Sequence, residues 1–308
     1  MRFPLFTVAI ILPTIAALAP RNASADPAYT FSTIDVPGAS YTYAWGINAA
    51  GQAVGYYGDA TGTHGFVDAA GSLSTINAPG ASYTYAYGIN ATGQVVGYYG
   101  GATGAQSFVD MSGSFSAVTV PGATAYGINA AGQVVGAYTD GTGLYGFVET
   151  AGNFSTITVP GATSTFALGI NAAGQVVGFY DDATGSHGFV DTAGSFSTIT
   201  DPGVSITDAW GINDAGQIVG TYVDATGTHG YVDTAGIFST IDVPGADYTY
   251  VYGINDAGQV VGTYGDATGT HGFVATPDPA SVTEPESLAV LGAGLLSLRM
   301  VSRRRRTA

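Results

Sequence analysis

The chain has 308 residues, with 22 acidic and 7 basic side chains and no cysteine; charged residues make up 9% of it and apolar ones 46%. That balance excludes a disordered acidic tail and a small disulfide-stapled scaffold, and the length allows a large core. All the basic residues lie near the ends, so residues 26–298 contain neither Lys nor Arg and their 22 acids stand uncompensated, a formal charge of −22. Such a surface repels nucleic acid, whose binding needs cations against phosphates, and it resists self-association while attracting cations.

The first residues, Met1-Arg2-Phe3, carry one positive charge, an apolar run follows from Leu5 to Ala19, and Ala23-Ser24-Ala25 closes the segment. This is the layout of a secretory signal peptide over residues 1–25, cut between Ala25 and Asp26; the alternative is an uncleaved membrane anchor.

Residues 26–276 are one unit written six times. The pattern Gly-Ile-Asn-x-x-Gly-Gln-x-Val-Gly places its Ile at Ile47, Ile89, Ile128, Ile170, Ile212 and Ile254, at spacings of 42, 39, 42, 42 and 42 residues. A period in this range marks a solenoid or a propeller, in which one unit cannot bury its own apolar face. Within residues 46–78 four short extended pieces are joined by Asn48-Ala-Ala-Gly51, Asp59-Ala-Thr-Gly62 and Asp68-Ala-Ala-Gly71. Each connection suits a type I turn followed by a left-handed Gly, opened by a side chain that caps the turn. The unit reads as a four-stranded antiparallel meander. Its second strand is apolar on both faces, with Val54 on one and Tyr57 on the other, so both must be covered, as in the blades of a propeller.

The chain begins with a fourth-type strand, Phe31–Ile34, and ends with a third-type strand, His271–Val274. Phe31–Ile34 can complete the last unit, giving 24 strands in an all-β, six-bladed propeller closed by its N-terminal strand; the alternative is a linear β-solenoid. The link between units, Val36-Pro-Gly-Ala-Ser-Tyr-Thr-Tyr43, reads as a surface loop, and repeat three loses its three residues there, at Pro121–Tyr126.

Gly-Ile-Asn-x-x-Gly-Gln-Val-Val-Gly-x-Tyr, followed by Gly-x-His-Gly-Phe-Val, resembles the HAF family of bacterial extracellular repeats. The His-Ala-Phe triplet of that family stands here as His64-Gly65-Phe66 and recurs at His187, His229 and His271, while Gln106 and Tyr145 replace the other two histidines. The resemblance covers about residues 31–276 and implies export, with no defined chemistry.

The four histidines invite a metal reading, but equivalents on different blades lie too far apart to share one ion, and a structural His at a strand start is the other reading. Asp59, Asp182, Asp224 and Asp266 open turns and supply one carboxylate each, short of a calcium loop. Glu149 is the one Glu of the repeats. No pair of acids in unlike environments, nucleophile motif or phosphate loop appears, so no enzyme, cofactor or metal site is expected. The aromatics Tyr43, Trp45, Tyr85, Tyr87, Trp210, Tyr250 and Tyr252 fall in the links between units. They either stack on sugar rings, in several copies that give avidity, or fill space between blades.

Residues 277–286 form a linker ending in Glu284-Pro285-Glu286, and residues 287–308 hold an apolar stretch from Leu288 to Leu298 with Arg299 and Arg303–Arg306. The order of these parts resembles the PEP-CTERM sorting signal of exported Gram-negative proteins, which an exosortase removes. It implies transient inner-membrane association through the tail, with the arginines on the cytoplasmic side, then release to the cell surface or exterior. The whole reads as a non-enzymatic exported repeat protein, handled by signal peptidase and an exosortase and associated with extracellular polysaccharide; the alternative is a multivalent, lectin-like carbohydrate binder.

Overall fold

The structure, a computed structural model, describes residues 29–278 except 103, 200–203 and 205. β1 (Tyr29–Ile34) is followed by five sets of four strands: β2–β5 (Tyr41–Ile47, Gln52–Asp59, Gly62–Ala69, Ser72–Ile76), β6–β9 (Ala81–Ile89, Val95–Gly101, Gly104–Met111, Ser114–Ala117), β10–β13 (Ala123–Ile128, Val134–Thr139, Leu144–Thr150, Asn153–Ile157), β14–β17 (Ser164–Ile170, Val176–Asp182, Gly185–Thr192, Ser195–Ile199) and β18–β21 (Ile206–Ile212, Ile218–Val223, Thr228–Thr234, Ile237–Ile241). Three further strands follow, β22–β24 (Tyr248–Ile254, Val260–Asp266, Gly269–Pro277). Each set is an antiparallel meander, blades 1 to 5 in chain order.

β1 supplies the fourth strand of blade 6. It pairs antiparallel with β24, Phe31 opposite Ala275 and Thr33 opposite Phe273. A side-chain bond repeated in the other blades shows that β1 fills the same role. Tyr57, Tyr138, Tyr180 and Tyr222 on the second strands share a hydrogen bond with Thr75, Thr156, Thr198 and Thr240 on the fourth. In blade 6, Tyr264 makes that bond with Thr33, at 3.0 Å. The expected closure by the N-terminal strand is found.

The Asn of the repeated Gly-Ile-Asn closes the ring a second time. Asn48 Nδ2 donates to the Asn90 carbonyl at 3.2 Å, and the chain of bonds runs on through Asn129, Asn171 and Asn213 to Asn255. Asn255 Nδ2 then donates to the Asn48 carbonyl at 3.0 Å, across 207 residues of sequence. A linear stack has no partner for that last bond.

The remaining bonds of each Asn explain the first turn. Asn48 N–H donates to the Gln52 carbonyl, Gly51 N–H to the Asn48 carbonyl, and the Asn48 Oδ1 accepts from the N–H groups of Ala50 and Gln52. With Gly51 at φ +76°, this is the expected type I turn with a left-handed Gly. The third turn differs from expectation. Ala70 and Gly71 both have positive φ, 52° and 87°, which is the two-residue type I′ form whose twist matches the flanking strands. Asp68 Oδ1 accepts the Gly71 N–H at 2.7 Å and helps hold it.

The blades pack through Val54, Val96, Val135, Val177, Val219 and Val261 and through the ring after each His-Gly or its equivalent, Phe66, Phe108, Phe147, Phe189, Tyr231 and Phe273, all essentially without exposure. Each such aromatic contributes about 2–3 kcal/mol by burial. Near the axis the Gly of Gly-Ile-Asn lets the inner strands close up. A Cβ on Gly46 would lie 2.7 Å from the Tyr87 carbonyl oxygen and 3.1 Å from Gly88 Cα, both backbone atoms of the next blade. The junction of blades 2 and 3, where the link is short, lacks the single parallel bridge found at four junctions, as does the junction of blades 5 and 6. Ser107, standing where other repeats have Gly, spans the gap: its Oγ donates to the Ala123 carbonyl at 2.7 Å and accepts the Ala125 N–H at 3.0 Å.

Candidate functional site

The innermost strand of each blade carries a β-bulge one residue before its axial Gly, as between Ala44 and Gly46. A bulge re-aims the residue it leaves unpaired. Here those residues are Trp45, Tyr87, Tyr126, Leu168, Trp210 and Tyr252, and all six line an axial cavity of about 80 Å³, room for a few water molecules. Trp45 stacks on Tyr252 at 4.3 Å and meets Tyr87 at 4.8 Å and Trp210 at 5.5 Å.

One pleat nearer the chain's entry to each inner strand stand Tyr43, Tyr85, Thr124, Phe166, Asp208 and Tyr250, which form the wall of a mouth above this plug. Tyr43 stacks on Tyr56 of the neighbouring strand at 4.9 Å, and Tyr56 meets Tyr85 of the next blade edge-on at 4.7 Å. The aromatic arc therefore runs over blades 6, 1 and 2, the three that parallel bridges also join into one sheet. Outermost, the rings of Tyr41, Tyr83 and Tyr248 lie over Gly58, Gly100 and Gly265, a cross-strand packing role.

All seven aromatics singled out in the sequence thus come together, but not where expected. Tyr43, Trp45, Tyr85, Tyr87, Trp210, Tyr250 and Tyr252 sit in β2, β6, β18 and β22, not in surface links. Alternation is the cause: in Tyr41-Thr-Tyr-Ala-Trp45 the Thr and Ala are buried, while the rings between them are half-buried. Nor do the copies form separate sites for avidity; they meet at one place.

Between blades 2 and 3 lies a groove of about 680 Å³ lined by Tyr98, Gln106, Thr119, Gly122 and Thr124 among others, within the usual range of small-ligand sites. Thr124 is also one of the six wall positions of the mouth. Three departures from the repeat meet here: the three-residue deletion, Ser107 for Gly, and Gln106 for His, whose Oε1 accepts from the Tyr99 hydroxyl at 3.0 Å.

Burial raises the hydroxyl pKa of Tyr43, Tyr56, Tyr87, Tyr98, Tyr126 and Tyr252 above the ordinary value. These phenols stay protonated and can donate. Sequence reasoning missed Asp208, which takes the place of Tyr43 in blade 5. Burial, with a smaller push from the Asp181 charge, raises its pKa to about 6 against a Ser186 hydrogen bond that lowers it. Its signal was available: Asp208 is the one acid at a position that the other five repeats fill with Tyr43, Tyr85, Thr124, Phe166 and Tyr250.

The histidines do structural work on the third strands, beside the turns at the same end of the blades as Tyr41. Asp59 Oδ1 accepts from the Thr61 N–H and hydroxyl, Thr61 Oγ1 pairs with His64 Nε2 at 2.8 Å, and His64 Nδ1 meets Asn77 Oδ1. His229 repeats this with Asp242, and His271 with Asp35, just past β1. The Thr hydroxyl, then the Thr N–H, hold the Asp59, Asp182, Asp224 and Asp266 carboxyls below their usual pKa. Among the described residues no group of three or more His, Asp or Glu is placed to hold a metal ion. The processing positions Ala25, Asp26, Glu284, Pro285 and Glu286 lie outside the described residues.

A closed ring of six meanders, with aromatics gathered at its axis, defines a β-propeller. Residues 80–273 match the Tectonin domain, and the chain belongs to that family. Among solved structures it is similar to a putative gluconolactonase, 12% identical, covering 81% of this chain and 92% of that one at a TM-score of 0.50. It is also similar to a streptogramin B lyase, 12% identical, 80% and 97% covered, TM-score 0.47, and to the Trypanosoma rangeli sialidase, 8% identical, 81% and 60% covered, TM-score 0.48. At these identities the likeness concerns the fold alone. No curated protein matches the sequence.

Proposed function

We propose that this propeller is an exported, non-enzymatic carbohydrate-binding protein of the cell surface or extracellular matrix, whose saccharide lies in the axial mouth and the groove between blades 2 and 3. The observation that carries the reading is the convergence of seven aromatics on the axis, with a groove of about 680 Å³ nearby that takes in Thr124 of the mouth wall. Aromatic faces suit the apolar faces of sugar rings, and the protonated phenols with Gln106 and Thr124 offer neutral donors and acceptors to hydroxyls. One axial site replaces the multivalent reading. Export, transient inner-membrane association and removal of the tail by an exosortase rest on the sequence of the two ends.

Binding of the purified domain to a glycan array tests the reading. Neutral saccharides are expected to be retained, and Tyr43→Ala and Trp45→Ala to lose them while keeping the β-sheet circular dichroism of the parent. Retention that both variants leave untouched would refute the axial site, and turnover of a bound glycan would refute the non-enzymatic reading.

A further inference from the structure

Asp208 is the one acid among the six wall positions of the mouth. It is half-buried, and Ser186 Oγ donates to its Oδ1 at 3.3 Å. A carboxylate drawn out of water needs a cation or several donors, and residues 26–298 hold no Lys or Arg to supply one.

The polar groups around it are unfinished in the same way. Among the described residues, the buried Trp210 Nε1, Thr221 Oγ1 and Thr263 Oγ1 have no hydrogen-bond partner. All three lie on blades 5 and 6. Thr221, only 4% exposed, is the cross-strand partner of Asp208, and Trp210 stands two residues along the same face. Unsatisfied buried groups are rare and ask for a reason. Blades 5 and 6 also lie across the axis from the gap between blades 2 and 3. A saccharide that enters by the groove and crosses the axis reaches this sector.

Resting on the carbohydrate reading, we infer that the mouth selects a saccharide bearing a free amino group, with the protonated amine paired to the Asp208 carboxylate and sugar hydroxyls satisfying Thr221 Oγ1 and its neighbours. The ring of Tyr250, on the next blade at the same level, adds a π face for the cation. Acidic sugars are disfavoured for the converse reason, since no cation awaits their carboxylates. Burial and the Asp181 charge both hinder ionisation of Asp208 in the free protein, so an arriving ammonium relieves a charge that the fold leaves unmatched.

The test is calorimetric titration of the folded, purified protein at physiological ionic strength with three hexasaccharides, of glucosamine, N-acetylglucosamine and galacturonic acid. The glucosamine hexamer is expected to bind about tenfold more tightly than the N-acetylated one, the size of one charge-assisted bond, and the acidic hexamer to bind least. Asp208→Asn removes a poorly solvated charge and keeps the side chain's size, so it is expected to fold and to bring the first two affinities together. Thr221→Val serves as a second variant, expected to weaken both hexamers alike. Asp68→Asn, in the turn at the opposite face, controls for the acidic surface and is expected to keep the preference. Equal binding of the two hexamers by the parent, or a preference that survives Asp208→Asn, overturns the inference while leaving the carbohydrate reading in place. Failure of every hexamer to bind overturns both.

Discussion

Asn255→Ala removes the bond that closes the ring and leaves its partners unmatched. Asn255 Nδ2 donates to the Asn48 carbonyl at 3.0 Å and to Gln259 Oε1 at 2.9 Å, and its Oδ1 accepts the N–H groups of Ala257 at 3.1 Å and Gln259 at 3.0 Å. The residue is 4% exposed, so water does not easily replace these partners. At about 1 kcal/mol net for each of the bonds lost, the substitution should cost about 4 kcal/mol, a large share of the 5–15 kcal/mol of an ordinary domain. Asn129→Ala is the control, because Asn129 makes the same set of bonds, to Asn171, Gln133 and Ala131. Urea unfolding followed by circular dichroism measures both. A closed ring predicts equal losses within about 0.5 kcal/mol. If Asn255→Ala costs less than Asn129→Ala by the worth of one bond, about 1 kcal/mol, Asn255 lacks its acceptor and the ring is open.

Gly211→Ala places a Cβ 2.8 Å from the Tyr252 carbonyl oxygen and 3.2 Å from Gly253 Cα; backbone cannot step aside, and a loss of about 3 kcal/mol or more is expected in the same assay. Removing residues up to Ile34 uncovers Phe273 and the edge of β24, and should shift the protein to larger species than the parent on size-exclusion chromatography, since an exposed edge pairs with other chains. Ser107→Ala leaves the Ala125 N–H and the Ala123 carbonyl unbridged inside the protein, at a cost of about 1–3 kcal/mol. For His271, burial opposes the charged form, but the hydrogen bond and charge of Asp35, with Asp266, outweigh it and raise the pKa. The latch therefore stabilises fully below the unfolded His value and weakens as pH rises through the folded one. Proton-NMR titration should place His271 above 6.5, the ordinary value of the side chain, and Asp35→Asn should lower it.

The period, the four-stranded unit and the closure by Phe31–Ile34 were legible because each is written in order along the chain. The Asn ring was not. Asn48 read as a turn opener, which it is, but its Nδ2 bond to the next blade depends on how blades sit around an axis. The aromatics show the same limit. Proximity to Pro37-Gly38 suggested a loop, whereas the alternation from Tyr41 to Trp45 already marked a strand with one face toward a neighbour. What brought Trp45 beside Trp210, far apart in sequence, is ring closure, and no local pattern carries that. Asp208 was passed over as one more acid in an acidic chain, because its meaning lies in the aromatic company its position keeps. Ser107 and the short third link looked like separate irregularities until the hydrogen bonds of Ser107 joined them.

Both tryptophans of the chain, Trp45 and Trp210, line the axial cavity, so intrinsic fluorescence reports on that place and no other tryptophan interferes. The decisive measurement is a titration of the folded protein with a neutral oligosaccharide, following tryptophan emission and calorimetric heat together. An axial site predicts a saturable change in emission with the same midpoint as the heat, lost in Tyr43→Ala. Binding heat with unchanged emission would place the saccharide elsewhere on the propeller and contradict the account.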